Sequence, residues 1–209
     1  FSIVSWTHGS GSQSIGHGLS QKPDMMIVKK RSGVSSFWTW HKGLSSETQS
    51  FIHVNTTNAA GANANAWNNQ APTASVFYQK EYILSNNDTG IAYCFHSVDG
   101  HSLVGSYVGN GSTDGVYVHC GFSPALIITK SIAATGWRMI DNKRTPYNPS
   151  TASLYPDSSD VEYTGSGHET DFTSNGFKMR NNNARLNTNG QTYIFIAFAE
   201  SPFKHSNAR

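Results

Sequence analysis

The hydrophobic residues of this chain occur in short runs and do not follow a helical repeat. No stretch places apolar residues at i, i+3, i+4 and i+7 over a dozen positions, as an amphipathic helix requires. The runs are rich in β-branched and aromatic residues and are bounded by Gly, Asn, Asp and Pro, which is typical of β-strands. They predict strands at 2–8, 24–30, 36–41, 51–54, 76–83, 90–98, 102–108, 116–120, 125–130, 137–141, 160–164, 176–180 and 192–200.

The segments between these runs have the composition of turns and loops. Asn, Asp and Gly tolerate a positive φ at low cost, so several dipeptides predict tight turns. These are Asn87-Asp88, Asp99-Gly100, Asp114-Gly115, Asn175-Gly176 and Asn189-Gly190. Residues 55–73 and 141–160 are predicted to be the two long loops. About thirteen short strands at roughly ten-residue spacing predict an all-β fold, an antiparallel two-sheet sandwich.

The two halves of the chain resemble each other in order. Pro23–Lys29 matches Pro124–Lys130, and Ile91–Phe95 matches Ile194–Phe198. The matched aromatic and apolar positions are Trp6 with Tyr107, Trp38 with Trp137, and Trp40 with Met139. A recurring set of strands is the signature of a repeat architecture. We therefore expect pseudo-repeats at about 1–100 and 101–209.

The turn at Asp99-Gly100 suggests how the two halves join. A turn this short predicts a hairpin between the strands at 90–98 and 102–108. Such a hairpin favours one continuous sandwich domain over residues 1–209. Two tandem small sandwiches remain the alternative.

Composition and charge exclude several classes of partner. Fifteen Lys and Arg residues against thirteen Asp and Glu residues give a net charge of +2. The charges are scattered, so we expect no nucleic-acid partner. No apolar run is long enough to span a bilayer, so we expect no membrane insertion. Cys94 and Cys120 lie in strand-like runs and are expected to be buried free thiols.

The ordered motifs resemble the C-terminal regions of bacteriophage tail fibres and related virion proteins with a concanavalin A-like sandwich. The resemblance covers nearly the whole chain. Its pieces are Gly18-Leu19 before Pro23–Lys29, Asn55-Thr56-Thr57, Tyr93–Ser97, Gly105-Ser106-Tyr107, Asp141–Arg144, Asn175–Lys178 and Ala197–Phe203. It implies a concanavalin A-like jelly roll, a structural or receptor-binding role, a homotrimer, and other virion subunits as partners. Assembly in the host cytoplasm and an extracellular virion location follow. The start at Phe1, within a strand-like run, predicts a C-terminal fragment of a longer protein.

Enzyme signatures are incomplete. Concanavalin A-like glycanases resemble one another in a Glu-x-Asp-x-x-Glu strand, in which one carboxylate attacks and another protonates the leaving group. Glu169 and Asp171 begin this pattern, but Ser174 stands where the second Glu is required. No nucleophile elbow, phosphate-binding loop or zinc-protease motif is present. We expect no enzymatic activity and no catalytic residues.

Metal-binding patterns are also weak. The nine histidines show no ligand spacing, although a site assembled from distant strands remains open. The acidic segment Asp157-Ser158-Ser159-Asp160 is more typical of a turn than of a calcium loop. We expect no metal and no cofactor.

Trp67 is the first candidate binding residue. It has no counterpart in the other half and lies beside Asn68 and Asn69 in the long loop. A flat ring next to amide groups suits stacking on a sugar and hydrogen bonding to its hydroxyls. The alternative is that Trp67 fills the space between the loop and the sandwich core.

A second candidate site lies in the other long loop. Its residues are Asp141, Asn142, Lys143, Arg144 and Tyr147, followed by Asn148. Their charged and amide groups are suited to a glycan or to a neighbouring subunit through charge-assisted hydrogen bonds. A solvated turn is the simpler alternative.

These observations lead to three functional hypotheses. The first is a virion structural protein, the C-terminal domain of a tail fibre, that binds a host cell-surface glycan or receptor. The second is an assembly or trimerisation module without a host receptor. The third is a glycan depolymerase with a catalytic pair assembled across strands.

Overall fold

The computed structural model describes residues 1–201. Three residues of the sequence analysis, Pro202, Phe203 and His205, lie outside that range. Every regular secondary-structure element within residues 1–201 is a β-strand. No helix in this range is long and apolar enough to cross a membrane.

The chain divides into two compact units, Phe1–His96 and a second that begins at Ser97. The strands of the first unit are β1 (Ser2–Thr7), β2 (Gln13–Gly16), β3 (Met25–Lys30), β4 (Trp38–His41), β5 (Ser50–His53), β6 (Gly61–Ala62), β7 (Val76–Gln79) and β8 (Thr89–Phe95). Those of the second are β9 (Ser102–Val108), β10 (Tyr117–His119), β11 (Pro124–Ser131), β12 (Arg138–Asp141), β13 (Thr170–Thr173), β14 (Gly176–Met179) and β15 (Thr192–Ala199).

The first unit contains two antiparallel sheets. The larger has the strand order β1-β8-β3-β4-β5-β6, and the smaller pairs β2 with β7. Alternate side chains of each strand point to one face, which is why the burial along β8 alternates residue by residue. Met26, Trp40 and Cys94 of the larger sheet share one buried cluster with Ile15 and Phe77 of the smaller. The core of this unit therefore lies between its two sheets.

The second unit is also built from two antiparallel sheets. The larger has the order β12-β11-β15-β9, and the smaller has the order β10-β14-β13. Ile127, Ile140 and Phe195 of the larger sheet cluster with Val118 and Phe177 of the smaller. The rings of Phe177 and Phe195 meet edge to face, 5.3 Å apart. Each unit is thus consistent with an antiparallel β-sandwich.

Glycines in the larger sheets make room for large aromatic rings. A Cβ added at Gly90 would lie 2.7 Å from the Trp6 ring, its cross-strand neighbour. A Cβ added at Gly105 would lie 2.8 Å from the ring of Phe195, its own cross-strand neighbour. A glycine opposite a large ring keeps the sheet at native packing density without moving the backbone.

Most predicted strands are confirmed, with ends that differ by at most four residues. The strand predicted at 160–164 is wrong. In that segment only Tyr163 makes an isolated bridge, to Ser153. Strands β2, β6 and β13 were not predicted from the sequence. The first two are short, and β13 forms because Thr170–Thr173 pairs with β14 across the predicted Asn175-Gly176 turn.

The predicted hairpin between 90–98 and 102–108 is also wrong. Strand β8 pairs with β1 and β3, whereas β9 pairs with β15. Gly100 does make a turn, with a φ of 70°, and Val98 bridges Ser102, but the pairing extends no further. The hairpin was only one of the grounds for the single-domain assignment over residues 1–209, which stays a prediction.

The predicted equivalence of Trp40 with Met139 is wrong by one residue. Trp40 lies opposite Met26 in β3, and Ile140 lies opposite Ile127 in β11. Met26 and Ile127 hold the same place in the matched segments at 23–29 and 124–130. Since a shift of one residue turns a strand side chain to the opposite face, Ile140 and not Met139 is the β12 residue that matches Trp40 in pairing register and burial.

Two of the predicted turns use a close approach of backbones. Asn87 and Gly190 have the predicted positive φ, 66° and 72°. Gly176 has no positive φ, but an added Cβ would lie 2.1 Å from the carbonyl oxygen of Val118. Gly115 is similarly close to the Met179 carbonyl oxygen, at 2.4 Å. At these two positions glycine is required by space.

A buried polar chain crosses the interior of the second unit. The guanidinium of Arg138 donates to Nε2 of His168 at 3.3 Å, and Nδ1 of His168 lies 3.0 Å from the hydroxyl of Ser153. All three side chains are buried. Burial lowers the pKa of His168 from 6.5 to about 4. The imidazole is therefore neutral at pH 7 and accepts the hydrogen bond from Arg138.

This depressed pKa predicts a loss of stability in mild acid. The unfolded chain binds a proton near pH 6.5, and the folded chain does not until about pH 4, so stability falls as the pH falls through that window. Thermal melts between pH 4 and 7 are expected to show a contribution of roughly 2 kcal/mol that His168→Gln removes. Replacing the exposed His119 by Gln is the control. Equal pH dependence in His168→Gln and the wild type would contradict this account.

Candidate functional site

Strands β11, β12 and β15 of the second unit have termini side by side at one end of the larger sheet. Pro124 at the start of β11 lies opposite Ala199 at the end of β15. The backbone amide of Asn142 donates to the carbonyl oxygen of Ala125 at 3.1 Å, so the residue after β12 lies at the same end of the sheet. The antiparallel register therefore brings together residues that are about 60 to 80 positions apart in the sequence.

A cavity of about 380 Å³ lies at this end of the sheet. The volume falls at the lower end of the range for pockets that hold small ligands. Six of the lining residues come from the loop after β12, and three come from other segments. The loop supplies Asn142, Lys143, Thr145, Pro146, Tyr147 and Asn148, and the others are Ser123, Phe172 and Glu200.

Asp141 holds the first turn of the loop. Its Oδ1 accepts hydrogen bonds from the backbone amides of Lys143 and Arg144, both at 2.9 Å. This is an Asx-type turn, in which a carboxylate replaces a backbone acceptor. Partial burial opposes ionisation of Asp141, but these amides and the Arg144 guanidinium together lower its pKa. The carboxylate is a structural part of the loop and does not line the cavity.

The charged groups near the cavity are paired. Arg144 donates from Nε to Asp141 at 2.7 Å and from Nη1 to Glu162 at 2.9 Å. Lys143 Nζ lies 2.9 Å from Glu200 Oε1. Exposed pairs of this kind stabilise a fold by little, so their main effect is to orient the side chains.

Asn148 fixes the far end of the loop. Its side-chain nitrogen donates to the carbonyl of Phe172 at 2.7 Å, and its oxygen accepts from the Phe172 amide at 2.9 Å. The side chain thus pairs with β13 as a neighbouring strand would. By contrast, Oδ1 of Asn142 is buried without a hydrogen-bond partner in the protein. A buried acceptor without a donor is costly, at about 1–3 kcal/mol.

Tyr147 presents an open aromatic ring at the cavity. Its side chain is 82% exposed. Together with Phe172 and Pro146, it gives the cavity apolar surface beside the amide and charged groups. This combination of apolar surface and a few polar groups is typical of a ligand site.

The structure brings together part of the second predicted site. Asn142, Lys143 and Tyr147 line the cavity, whereas Asp141 and Arg144 support the loop from behind. Ser123, Phe172 and Glu200 were not predicted to belong to the site. Their positions depend on the pairing of β11 with β15 and on the contact of Asn148 with β13. No local motif reveals that pairing, although the opposite charges of Lys143 and Glu200 are compatible with it.

The prediction that Trp67 is a stacking platform is wrong. The side chain is only 1% exposed and belongs to the core of the first unit. Its indole nitrogen donates to the carbonyl oxygen of Ser50 at 2.8 Å. A ligand has no access to the ring, and the alternative prediction, that Trp67 fills the space under its loop, is confirmed.

Asn68 and Asn69 shape the same loop and are not grouped around an exposed ring. Both have a positive φ, 53° and 51°, which Asn adopts more readily than most residues. The Oδ1 atom of Asn68 accepts from the Ser12 hydroxyl at 2.8 Å, and that of Asn69 accepts from Gln49 at 2.9 Å. Because Trp67 is buried, these residues no longer form the predicted sugar site.

The other candidate groups lie outside the cavity. Glu169 accepts from the amide of Gly167 at 2.8 Å, and Asp171 lies 3.5 Å from Arg180. Within residues 1–201, no three His, Cys, Asp or Glu side chains come together as a metal site would require. Cys94 and Cys120 are free, with Cys94 buried and Cys120 partly buried. Burial raises the pKa of both thiols to about 12.

Trp67→Ala is expected to test the buried position. Removing a large buried ring and its hydrogen bond costs about 3–5 kcal/mol of unfolding free energy. Chemical denaturation of the variant measures this loss. The control is Tyr147→Ala, which removes an exposed ring and is expected to change stability by less than about 0.5 kcal/mol. Equal stability of the two variants would show that Trp67 is not a core residue.

Comparisons with known proteins place the chain in a family. No curated protein and no solved structure matches it. One family model matches residues 1–202 and is described as a domain of unknown function, DUF7483. The match covers nearly the whole chain, so this protein belongs to the DUF7483 family.

Proposed function

We propose that this chain is the binding module of a bacteriophage tail fibre or related virion appendage, and that it attaches to a host cell-surface glycan through the cavity beside Asp141–Asn148. The single observation that carries the binding part is the cavity, with its exposed Tyr147 ring beside polar lining residues. Sugars present both an apolar ring face and hydroxyl groups, which match these two features.

A repeated architecture supports the choice of this loop over its counterpart. The larger sheets have the same strand order, β1-β8-β3-β4 in one unit and β9-β15-β11-β12 in the other. We infer two pseudo-repeats of one sandwich design, the sandwich being of the concanavalin A-like jelly-roll type. In a repeated design, residues that maintain the fold recur in both copies, whereas a binding residue needs to occur only once.

The loops at matching positions differ in this way. After β4, Nδ1 of His41 accepts from the Gly43 amide at 2.9 Å, as Asp141 accepts from the Lys143 amide after β12. The following residue in the first unit is Leu44, which is buried, and the indole of Trp40 holds the loop through the Glu47 carbonyl. An apolar residue thus anchors this loop to the core, whereas the loop at 142–148 carries polar residues around a cavity.

The virion part of the proposal has a separate basis. It rests on the ordered motifs that resemble tail-fibre C-terminal regions, from Gly18-Leu19 to the segment beginning at Ala197. It includes a homotrimer, contacts with other virion subunits, an extracellular location, and binding without hydrolysis. If the cavity binds no glycan, assembly or trimerisation becomes the better function for the chain.

Tyr147→Ala is expected to weaken glycan or host-cell binding and to leave the fold intact. Loss of one aromatic stacking contact costs about 1–3 kcal/mol, on the scale known for flat rings on aromatic side chains. Tyr117→Ala is a matched control, because Tyr117 is also an exposed tyrosine of the second unit but does not line the cavity. Isothermal titration and a thermal melt of each variant give the affinity and the stability. Full binding by a folded Tyr147→Ala variant would remove the cavity from the receptor site.

A further inference from the structure

We propose that the cavity selects an uncharged sugar over an acidic one. This inference rests on the proposed function and adds the class of ligand. The favoured ligand offers hydroxyl or acetamido N–H donors, whereas uronic acids, sialic acids and phosphorylated or sulfated sugars are disfavoured.

The first argument is the charge of the lining. Among the described residues that line the cavity, Lys143 and Glu200 are the charged ones, and their ion pair sums to zero. The nearby Arg144 already uses Nε and Nη1 on Asp141 and Glu162. Proteins recognise carboxylates and phosphates with open Arg forks or Lys charges. Here an acidic ligand must displace Glu200 from Lys143 and then meet the repulsion of that carboxylate.

The second argument is that Asn148 offers no donor to an acidic group. An ionised carboxylate or phosphate oxygen is an acceptor only, so it needs donors in the lining. Both polar atoms of the Asn148 amide are already bonded to the Phe172 backbone.

Pairs of sugars that differ in one group test this selectivity. Methyl glycosides of glucose and glucuronic acid, and of galactose and galacturonic acid, differ only in a hydroxymethyl group or a carboxylate. N-acetylglucosamine and N-acetylmuramic acid form a third pair. Titration of the full chain by calorimetry is expected to show at least one neutral member binding about fivefold or more tightly than its acidic partner. Equal or tighter binding of the acidic members would overturn the inference and leave the proposed function intact.

Glu200→Gln gives a readout that a structural role would not produce. The variant frees the Lys143 charge and removes the repulsion. It is expected to bind the uronic acid about fivefold more tightly, with the affinity for the neutral partner changed less than about twofold. An unchanged ratio of the two affinities counts against the charge argument. Failure of every sugar to bind wild-type protein would overturn the proposed glycan function together with this inference.

A separate set of residues carries a second inference, in the first unit. Four buried side-chain atoms there have no hydrogen-bond partner in the protein. They are Trp6 Nε1, Gln13 Oε1, and Gln79 Nε2 and Oε1. We infer that these atoms surround ordered water molecules held inside the unit.

The three side chains lie near one another in the first unit. Gln13 and Gln79 are cross-strand neighbours in the smaller sheet, and each is two residues from a core residue on the same face, Ile15 or Phe77. The Trp6 ring packs against the Phe77 ring, with their centroids 5.5 Å apart.

The atoms include both donors and acceptors, and this mixture favours water as the occupant. Trp6 Nε1 and Gln79 Nε2 donate, whereas Gln13 Oε1 and Gln79 Oε1 accept. A metal ion satisfies acceptors only, and an anion satisfies donors only. Water satisfies both kinds, and buried waters typically make about three hydrogen bonds to such groups.

Gln79→Met tests this second inference, because Met has nearly the shape of Gln but lacks its polar atoms. Replacing a group without partners by an apolar group of the same shape is neutral or stabilising, whereas replacing one that is bonded to water is destabilising. We expect the melting midpoint to fall by about 4 °C or more, with no such fall for Gln70→Met at an exposed position. A high-resolution crystal structure is expected to show water density beside Gln13 and Gln79. An unchanged or raised midpoint, or direct contacts between these side chains without water, would overturn the inference.

Discussion

In the second unit, the pairing register of β11 with β12 and β15 is the constraint on which the candidate site depends. It sets Leu126 opposite both Asp141 and Phe198, so the loop after β12 and Glu200, directly after β15, lie at the same end of the sheet. A shift of one residue would turn Ile127 and Ile140 out of the core. The burial of these core residues therefore fixes the register, and the register fixes where Asn142 and Glu200 meet.

Beyond the end of β12, polar contacts determine the shape of the loop at 142–148. Asp141 makes the first turn, Arg144 ties it to Glu162, and Asn148 attaches its far end to β13. The residues that make these contacts differ from those that remain available to a ligand. A cavity whose walls are held by their own hydrogen bonds is largely preformed, which reduces the entropy lost on binding.

The sequence predicted the strands well because their burial pattern is local. Alternating or continuous apolar runs such as 90–98 and 192–200 can be recognised as strands without knowing which strands they pair with. The pairing of strands was less predictable, since β8 and β9 adjoin in sequence and yet join different sheets. Trp67 was uncertain for the same reason: its ring is buried by distant residues of the first unit, including Phe77. The Asp141 loop was found from its composition, but Phe172 and Glu200 reach it only through tertiary pairing.

The most direct test of the central claim is an NMR titration of the isotopically labelled chain with a bound host glycan or the tightest neutral methyl glycoside. The account predicts saturable shift changes that cluster at Asn142, Tyr147, Phe172 and Glu200, with little change at Trp67 and its neighbours. Shift changes centred on the first unit, or their absence at saturating sugar, would contradict the assignment of the cavity as the binding site.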